Sequence, residues 1–194
     1  MHPLLTYFTN VVALTEGEQA QLLAAFRPRR ARAGDHLVRA GQVCRSITFV
    51  ESGLLRYYYL VNGKEVTGNF FFESSFVGAF ASFISQSPSK QFVDCLEDCV
   101  LWQATHEQLE QLYATVPALE KFGRKMAESL FVHAQNRTAS LLLDTPDQRY
   151  ANLLRNRPKV LQRVPQYMIA SYLGFTPETL SRIRKRFAEQ PDRS

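Results

Sequence analysis

The chain has 194 residues, enough for one large domain or two small ones, and its 45% hydrophobic content supports a sizeable core. Its formal net charge of +5 suits a polyanionic partner. The three cysteines form no CxxC motif, which argues against a disulfide scaffold; an iron–sulfur cluster takes about four thiolates, so this chain alone should not hold one. We expect a protein of the reducing cytoplasm, since no secretory leader and no apolar run of membrane-spanning length is recognisable.

A helical lead-in is predicted from Thr6 to about Phe26. Thr15 and Glu18 have the spacing of a capping box, in which each side chain bonds the backbone amide of the other residue. The basic run at residues 27–32 contains Pro28 and ends this helix. We expect this run to be a solvated edge rather than a binding site.

Short strands and turns are predicted from about residue 31 to residue 102. Runs of Val, Ile, Leu, Phe and Tyr alternate with glycine-containing turns, and the dipeptide Asn62-Gly63 is a strong signal for a tight hairpin. Many short strands at regular spacing predict an antiparallel sandwich or barrel.

A short helix is predicted from Thr105, and Pro117 opens a long one over residues 118–143. The apolar residues of the long helix recur at intervals of three and four, so one of its faces must be buried. That face either packs on the chain's own barrel or forms the seam of a dimer. We favour the dimer, with a seam formed by Leu119, Phe122, Met126, Ser129 and His133.

Two short helices joined by a tight turn are predicted at residues 163–187. Gly174 follows the apolar face of the first helix, at a place that needs a positive φ. Thr176 is suited to cap the second helix, and Pro177 to occupy its first position. The pattern is typical of a helix-turn-helix, whose second helix enters the DNA major groove. The alternative is an ordinary helical hairpin with a solvated basic face.

Positive charge is concentrated around this motif, since residues 149–193 contain ten Lys and Arg against three Asp and Glu. Such a distribution suits contacts with phosphates. We therefore assign DNA binding to the polar face of the second helix and its cap, namely Thr176, Glu178, Thr179, Ser181, Arg182, Arg184, Lys185 and Arg186.

The order of short-strand barrel, long helix and helix-turn-helix resembles the Crp/Fnr superfamily of bacterial transcription regulators. The resemblance is carried by Ala40-Gly41, residues 47–56, Phe76-Val77-Gly78 and residues 175–182. It implies an α+β fold with an N-terminal antiparallel β jelly-roll barrel, a long dimerisation helix and a C-terminal helix-turn-helix domain. The implied boundaries are 1–115 for the cyclic-nucleotide-binding-like barrel, 116–144 for the connecting helix and 145–194 for the DNA-binding domain. Ser194 follows the second helix closely, so we expect the last domain to lack a full wing.

The resemblance also implies a homodimeric, sequence-specific DNA-binding regulator in the bacterial cytoplasm. Its implied partners are double-stranded DNA with a near-palindromic operator, RNA polymerase and a small-molecule effector. Glu178 and Arg182 match the Glu and Arg with which the family's recognition helix reads bases; a carboxylate can accept from cytosine, and Arg can bind guanine O6 and N7. We expect no enzymatic activity, because the histidines are scattered and no Ser/His/Asp, Cys/His or HExxH arrangement occurs.

The family's nucleotide site is altered in two places. Members that bind cyclic AMP carry a Glu after the Phe-x-Gly element and an Arg that neutralises the phosphate, whereas this chain has Ala79 and, near the place of the Arg, Lys90. We therefore expect no cofactor, with cyclic AMP a doubtful ligand, and an unknown effector sensed through a degenerate pocket. The candidate pocket residues are Phe76, Val77, Gly78, Ala79, Phe80, Ser89 and Lys90. The alternative function is a small-ligand-binding module that acts through protein partners without binding DNA.

Overall fold

A computed structural model describes residues 2–189, which form two compact units. The first unit contains the residues up to Tyr59 together with Asn69–Glu128, and the second contains Leu60–Gly68 and the residues from Ser129 onward. This division falls inside the long helix, and the predicted three-part domain boundaries stay a prediction. Within residues 2–189, no helix is long and apolar enough to cross a lipid bilayer.

Two helices precede the sheets, α1 (Pro3–Thr9) and α2 (Glu16–Ala25). The Thr15 hydroxyl accepts a hydrogen bond from the Glu18 amide at 3.3 Å, and the Glu18 carboxylate accepts one from the Thr15 amide at 2.7 Å. The predicted capping box is therefore confirmed.

The described residues form two four-stranded sheets, with strand orders β1-β8-β3-β6 and β2-β7-β4-β5. The two sheets make a jelly-roll-like sandwich, and their strand order does not close into a continuous barrel. Asn62 and Gly63 have φ values of 50° and 76°, which confirms the predicted tight hairpin between β4 and β5. The strands are β1 (Arg27–Ala31), β2 (His36–Val38), β3 (Ser46–Ser52), β4 (Leu55–Val61), β5 (Lys64–Phe71), β6 (Ser75–Val77), β7 (Phe92–Cys95) and β8 (Cys99–Thr105).

The basic run at residues 27–32 differs from its prediction in one respect. Most of it forms strand β1, which pairs antiparallel with β8 at the edge of its sheet. Pro28 is tolerated there because an edge strand needs only one row of backbone hydrogen bonds. The first four residues of β1 are exposed, as expected for a solvated edge.

The core of the first unit is largely aromatic. The rings of Phe49 on β3 and Phe76 on β6 have centroids 5.4 Å apart, and each lies 5.5 Å from the ring of Tyr7 on α1. Phe122 joins this cluster, with its ring centroid 4.0 Å from that of Phe8. These phenylalanines are therefore packing residues.

Three helices follow or interrupt the strands: α3 (Phe80–Ser85), α4 (His106–Thr115) and α5 (Pro117–Leu143). Pro117 opens α5, as predicted. The predicted dimer seam on α5 needs correction, because Leu119 and Phe122 are 1% and 4% exposed and Met126 packs against the same core. These three side chains cover the chain's own sandwich, which was the alternative interpretation; Ser129 and His133 are exposed, and their role in a dimer stays a prediction.

The second unit contains α6 (Pro146–Asn156), α7 (Pro158–Arg163), α8 (Gln166–Leu173) and α9 (Pro177–Glu189). Helix α7 is an addition to the predicted elements. The tip of the β4–β5 hairpin belongs to this unit: the Thr67 amide donates to Ser171 Oγ at 2.9 Å, and Ser171 Oγ donates to the Glu65 carbonyl at 3.2 Å. Residues 190–194, on which the expectation of a missing wing depends, lie outside the described residues. The unit's fully or nearly fully buried apolar residues are Tyr150, Leu153, Val160, Val164, Met168, Ile169, Ala170, Leu173, Leu180 and Ile183.

Candidate nucleic-acid interface

The turn between α8 and α9 is built around Gly174, which has φ 74°. Its amide donates to the Ser171 carbonyl at 3.1 Å, and the Phe175 amide donates to the Ala170 carbonyl at 2.8 Å. These two bonds are the Schellman arrangement that ends a helix at a left-handed residue. The predicted role of Gly174 is therefore confirmed, and the turn fixes where α9 begins.

Helix α9 starts at the predicted cap. The Thr176 hydroxyl accepts a hydrogen bond from the Thr179 amide at 3.3 Å, and Pro177 occupies the first helical position. The Thr176 carbonyl accepts the first bond of the helix, from the Leu180 amide at 3.0 Å. The first turn of α9 thus has its amides partly satisfied by its own cap.

One face of α9 is buried and the other is polar. Leu180 and Ile183 are each 1% exposed, and the ring of Phe187 contacts Tyr150 of α6 with centroids 5.1 Å apart. The predicted DNA-binding residues lie away from this stripe. Thr179 is half-buried, and the exposed members are Thr176, Glu178, Ser181, Arg182, Arg184, Lys185 and Arg186.

The N-terminal turn of α9 holds a connected polar group. Thr176 Oγ1 and Thr179 Oγ1 lie 3.2 Å apart, and Arg182 Nη2 donates to Thr179 Oγ1 at 3.3 Å. The pKa of the Glu178 carboxyl is held below its usual range, first by a hydrogen bond from its own backbone amide, then by the Thr176 hydroxyl and the charge of Arg182. The Glu178 carboxyl is therefore a carboxylate at neutral pH and lies close enough to the Arg182 guanidinium to interact with its charge.

The basic residues of α9 divide into two groups. Ser181, Arg184 and Lys185 line an open groove together with Gln166, at the start of α8. Arg186 is on the other flank, where its Nη2 lies 2.7 Å from an Asp147 carboxylate oxygen of α6. The sequence did not indicate this ion pair, because its partners are separated by 39 positions. The role of Arg186 as a phosphate contact stays a prediction, and it competes with Asp147.

Metal ligands are not assembled in the described part of the chain. Among residues 2–189, no group of three or more His, Cys, Asp and Glu is arranged to hold a metal ion. Cys44, Cys95 and Cys99 are buried and unlinked.

Comparison with known proteins places these features in a family. Residues 28–116 match the cyclic nucleotide-binding domain. The fumarate and nitrate reduction regulatory protein of Vibrio cholerae is 27% identical over 187 residues, covering 90% of this chain and 74% of that protein. The transcriptional activator protein FnrA of Stutzerimonas stutzeri is 27% identical over 176 residues, covering 84% of this chain and 71% of that protein. The structure of FixK2 from Bradyrhizobium japonicum superposes with a TM-score of 0.73 at 18% identity, covering 86% of each chain.

The chain is thus similar to regulators of the Crp/Fnr superfamily over most of its length, and residues 28–116 match the cyclic nucleotide-binding domain. Both curated relatives are named as regulators, and each match covers more than four fifths of this chain. The two features that carried the resemblance, the strand-rich first unit and the helix-turn-helix, are both present in the structure.

The residues predicted to form the effector pocket are mostly packed into the core or bonded to backbone. Ala79 has no side-chain group for a ribose hydroxyl and is itself only 2% exposed, packed in the core just before α3. The Ser89 hydroxyl bonds the Gln91 backbone, accepting from its amide at 2.9 Å and donating to its carbonyl at 3.0 Å. Lys90 is exposed. Phe76, Val77 and Gly78 are buried, and Phe80 packs partly against the same core. That these residues form an effector pocket stays a prediction. A ligand could bind there only if this packing opened.

Proposed function

We propose that this protein is a homodimeric, sequence-specific DNA-binding regulator of the Crp/Fnr type that reads its operator with Glu178 and Arg182. The observation that carries the proposal is the arrangement at the start of α9, where an exposed carboxylate and an exposed guanidinium are positioned by a shared cap. Recognition helices contact base edges with their N-terminal residues. Arg182 would bind guanine O6 and N7, and Glu178 would accept from a cytosine amino group.

The groove-lining residues of α9 support phosphate contact. Arg184 and Lys185 are exposed, and Lys185 Nζ lies 3.9 Å from a Glu189 carboxylate oxygen, which is a long ion-pair contact. Weakly held surface cations are available to phosphates, and such contacts set register and orientation rather than sequence preference. We assign base reading to Glu178 and Arg182, and backbone binding to Arg184 and Lys185.

A homodimer is supported by a second face of α5. Phe131, Val132, Leu142 and Leu143 are between 54% and 80% exposed, which is unusual for large apolar side chains on one helix. Their spacing puts Phe131 with Leu142 and Val132 with Leu143 on one stripe, different from the stripe that covers the sandwich. We propose this stripe as the dimer seam, in place of the one built on Leu119 and Phe122. Two copies of α9 would then read two half-sites of one near-palindromic operator in the bacterial cytoplasm.

The effector is a separate proposal. The curated relatives are named as regulators, and the first unit matches a ligand-binding domain. Because the nucleotide-binding chemistry is missing around Ala79, we propose that any effector is not cyclic AMP. Contact with RNA polymerase is proposed only from the likeness to an activator.

The proposal is tested by selecting bound duplexes from a random DNA pool with the purified protein, with and without cyclic AMP. We expect one near-palindromic motif, enriched equally in both conditions, and an affinity that falls steeply with salt. A motif that appears only with cyclic AMP would contradict the ligand assignment. Absence of both motif and salt dependence would favour the alternative, a ligand-binding module that acts through protein partners.

Arg182→Ala tests the assignment of base reading. We expect discrimination at one base pair of each half-site to fall by about 1–3 kcal/mol, or roughly 5- to 150-fold, because the bidentate contact is lost. The matched control is Arg39→Ala, which removes the same charge from an exposed position of the first unit. An equal loss of affinity for all sequences in Arg182→Ala would instead make Arg182 a phosphate contact.

A further inference from the structure

Edge strand β1 carries a cluster of arginines. Arg27, Arg29 and Arg30 are exposed, and antiparallel pairing with β8 along the whole strand fixes their backbone positions. Arg32 is set apart from them, because its backbone amide donates to the Asp35 carboxylate at 2.8 Å and it therefore stands beside a negative charge. We call Arg27, Arg29 and Arg30 the basic edge.

The charge of the basic edge is not neutralised by the described part of the chain. Among residues 2–189, no carboxylate forms an ion pair with any of its three guanidinium groups. By contrast, exposed Arg124 on α5 is paired with Glu128, with 2.5 Å between nitrogen and oxygen. The first and last arginines of the basic edge are about 10 Å apart, at roughly 3.3 Å per residue. Three unpaired like charges at this spacing repel one another and attract an anionic partner.

Arg29 is oriented by hydrogen bonds that begin in the core. Thr48 is 2% exposed, and its hydroxyl accepts from the Gln103 side-chain amide at 2.8 Å. The side-chain oxygen of Gln103 in turn accepts from Arg29 Nη1 at 3.2 Å. Long surface side chains lose rotamer freedom when they bind a partner, so a guanidinium that is already held binds at a smaller cost in entropy.

The side chains of the basic edge lie on both faces of the strand. Arg27 and Arg29 are on the face of their cross-strand partners Gln103 and Leu101, whereas Arg30 is on the opposite face. An extended peptide that runs along β1 also places side chains on both faces, with the same spacing of about 7 Å between alternate residues. A DNA duplex, whose major groove alone is about 12 Å wide, can lie against only one face. The arrangement therefore favours an acidic protein segment over a nucleic acid.

Protection of the edge is the simpler role for charges on β1. Proline and charged side chains keep an edge strand from pairing with another sheet, and lysine is the charge most used for it. This role explains Pro28. It does not explain why all three charges are arginines, whose planar fork binds a carboxylate through two hydrogen bonds, or why Arg29 is anchored to the core through Gln103.

We propose that the basic edge is a docking surface for an extended acidic segment of a partner protein, with three or more Asp or Glu side chains. Arg27 and Arg29 bind carboxylates on one face of β1, and Arg30 binds a carboxylate on the other. Because Pro28 has no backbone donor, side chains make the contact rather than the addition of a strand. The surface is separate from α9, so the proposal does not depend on whether α9 reads DNA.

The test measures binding of a fluorescein-labelled hexaglutamate peptide to the full chain by fluorescence anisotropy at low ionic strength, with hexaglutamine as the uncharged control. In the double variant Arg27→Gln/Arg29→Gln, we expect the affinity for hexaglutamate to fall about 5- to 30-fold, as for the loss of two exposed ion pairs. Arg27→Lys/Arg29→Lys keeps the charge and loses the planar fork, so it should retain part of the affinity. Equal affinity in the glutamine variant and the unmutated chain would overturn the proposal.

Arg184→Gln/Lys185→Gln is the matched control, because it removes the same charge from α9. This variant should lose affinity for a duplex of random sequence while losing much less affinity for hexaglutamate than the β1 variant does. The β1 variant should show the reverse, so failure of the docking proposal and failure of DNA binding give different results. Two outcomes would contradict the docking surface: a loss of hexaglutamate affinity at least as large in the α9 variant, or a loss of duplex affinity in the β1 variant as large as in the α9 variant. The second outcome would make the basic edge a nucleic-acid contact.

Discussion

The helices α3 and α9 differ in the residue that precedes each of them, which is buried before α3 and exposed before α9. At α3 the residue before the helix is Ala79, which is buried and makes no side-chain hydrogen bond to the helix. At α9 the corresponding residue is Thr176, exposed and bonded to the first turn, with Glu178 and Arg182 standing beside it. The comparison is consistent with the proposal that α9 reads DNA, whereas the residue before α3 is part of the core.

The contrast between α3 and α9 is tested most strongly by rebuilding the nucleotide site with Ala79→Glu and Lys90→Arg. If only two side chains were missing, the double variant would bind cyclic AMP. We expect no binding, and a loss of about 3–5 kcal/mol in the free energy of unfolding, because position 79 would bury a charge with no partner. Urea unfolding and isothermal titration with cyclic AMP measure the two outcomes.

Ile84→Glu is the matched control for that variant. Ile84 lies on the same helix, α3, but is 69% exposed, so its replacement adds the same charge without burying it. We expect a change within about 0.5 kcal/mol, as is usual for surface positions. Tight binding of cyclic AMP by the double variant would show that the core opens around α3, and the contrast with α9 would fail.

Local patterns in the sequence predicted the elements well wherever the cause of structure is itself local. The capping box of Thr15 with Glu18, the Asn62-Gly63 hairpin, the start of α5 at Pro117 and the turn at Gly174 all depend on residues within five positions of each other. Each was predicted from residue type and spacing alone, and each is present. The polar face of α9 was predicted in the same way, from helical periodicity.

Features that depend on distant partners were missed. Periodicity showed that α5 has an apolar stripe, but not whether Phe122 faces Phe8 or another chain, since both choices leave the same spacing. Strand β1 was missed because its sequence, with one proline and three arginines, does not predict a strand, and its pairing with β8 depends on residues more than 60 positions away. The ion pair of Arg186 with Asp147 likewise depends on how the chain folds back, which no short motif records.

Gly174→Ala tests the same contrast by straining the turn before α9 without changing any residue of that helix. The added Cβ would have room, with Leu141 Cδ2 at 3.6 Å, so the cost comes from holding alanine at φ 74°. We expect the free energy of unfolding of the second unit to fall by about 1–2 kcal/mol. Operator affinity should also fall, because the turn that positions the first residues of α9 is strained. Urea unfolding and operator titration measure these effects.

Gly17→Ala is the control for the glycine change. Gly17 is inside α2, has no positive φ and has no atom within 4 Å of an added Cβ. The substitution should raise the free energy of unfolding by up to about 1 kcal/mol, because alanine favours the helix. If Gly174→Ala behaved like Gly17→Ala, the left-handed turn would not be what fixes the start of α9.

The substitution with the smallest expected effect is at Thr179, and it tests whether Thr176, Thr179 and Arg182 act together. Thr179→Val removes the hydroxyl that accepts from Arg182 Nη2 at 3.3 Å and contacts Thr176 Oγ1, while keeping the shape of the side chain. We expect operator affinity to fall by about 0.5–1.5 kcal/mol, or roughly 2- to 12-fold, because Arg182 loses a fixed position. Thr179→Ser keeps the hydroxyl and should retain most of the affinity. In a double-mutant cycle, Thr179→Val should cost little once Arg182 is already alanine, since Thr179 is proposed to act through Arg182. Additive losses would mean that Thr179 contacts the operator independently, and the polar group at the start of α9 would then be two separate contacts rather than one positioned reader.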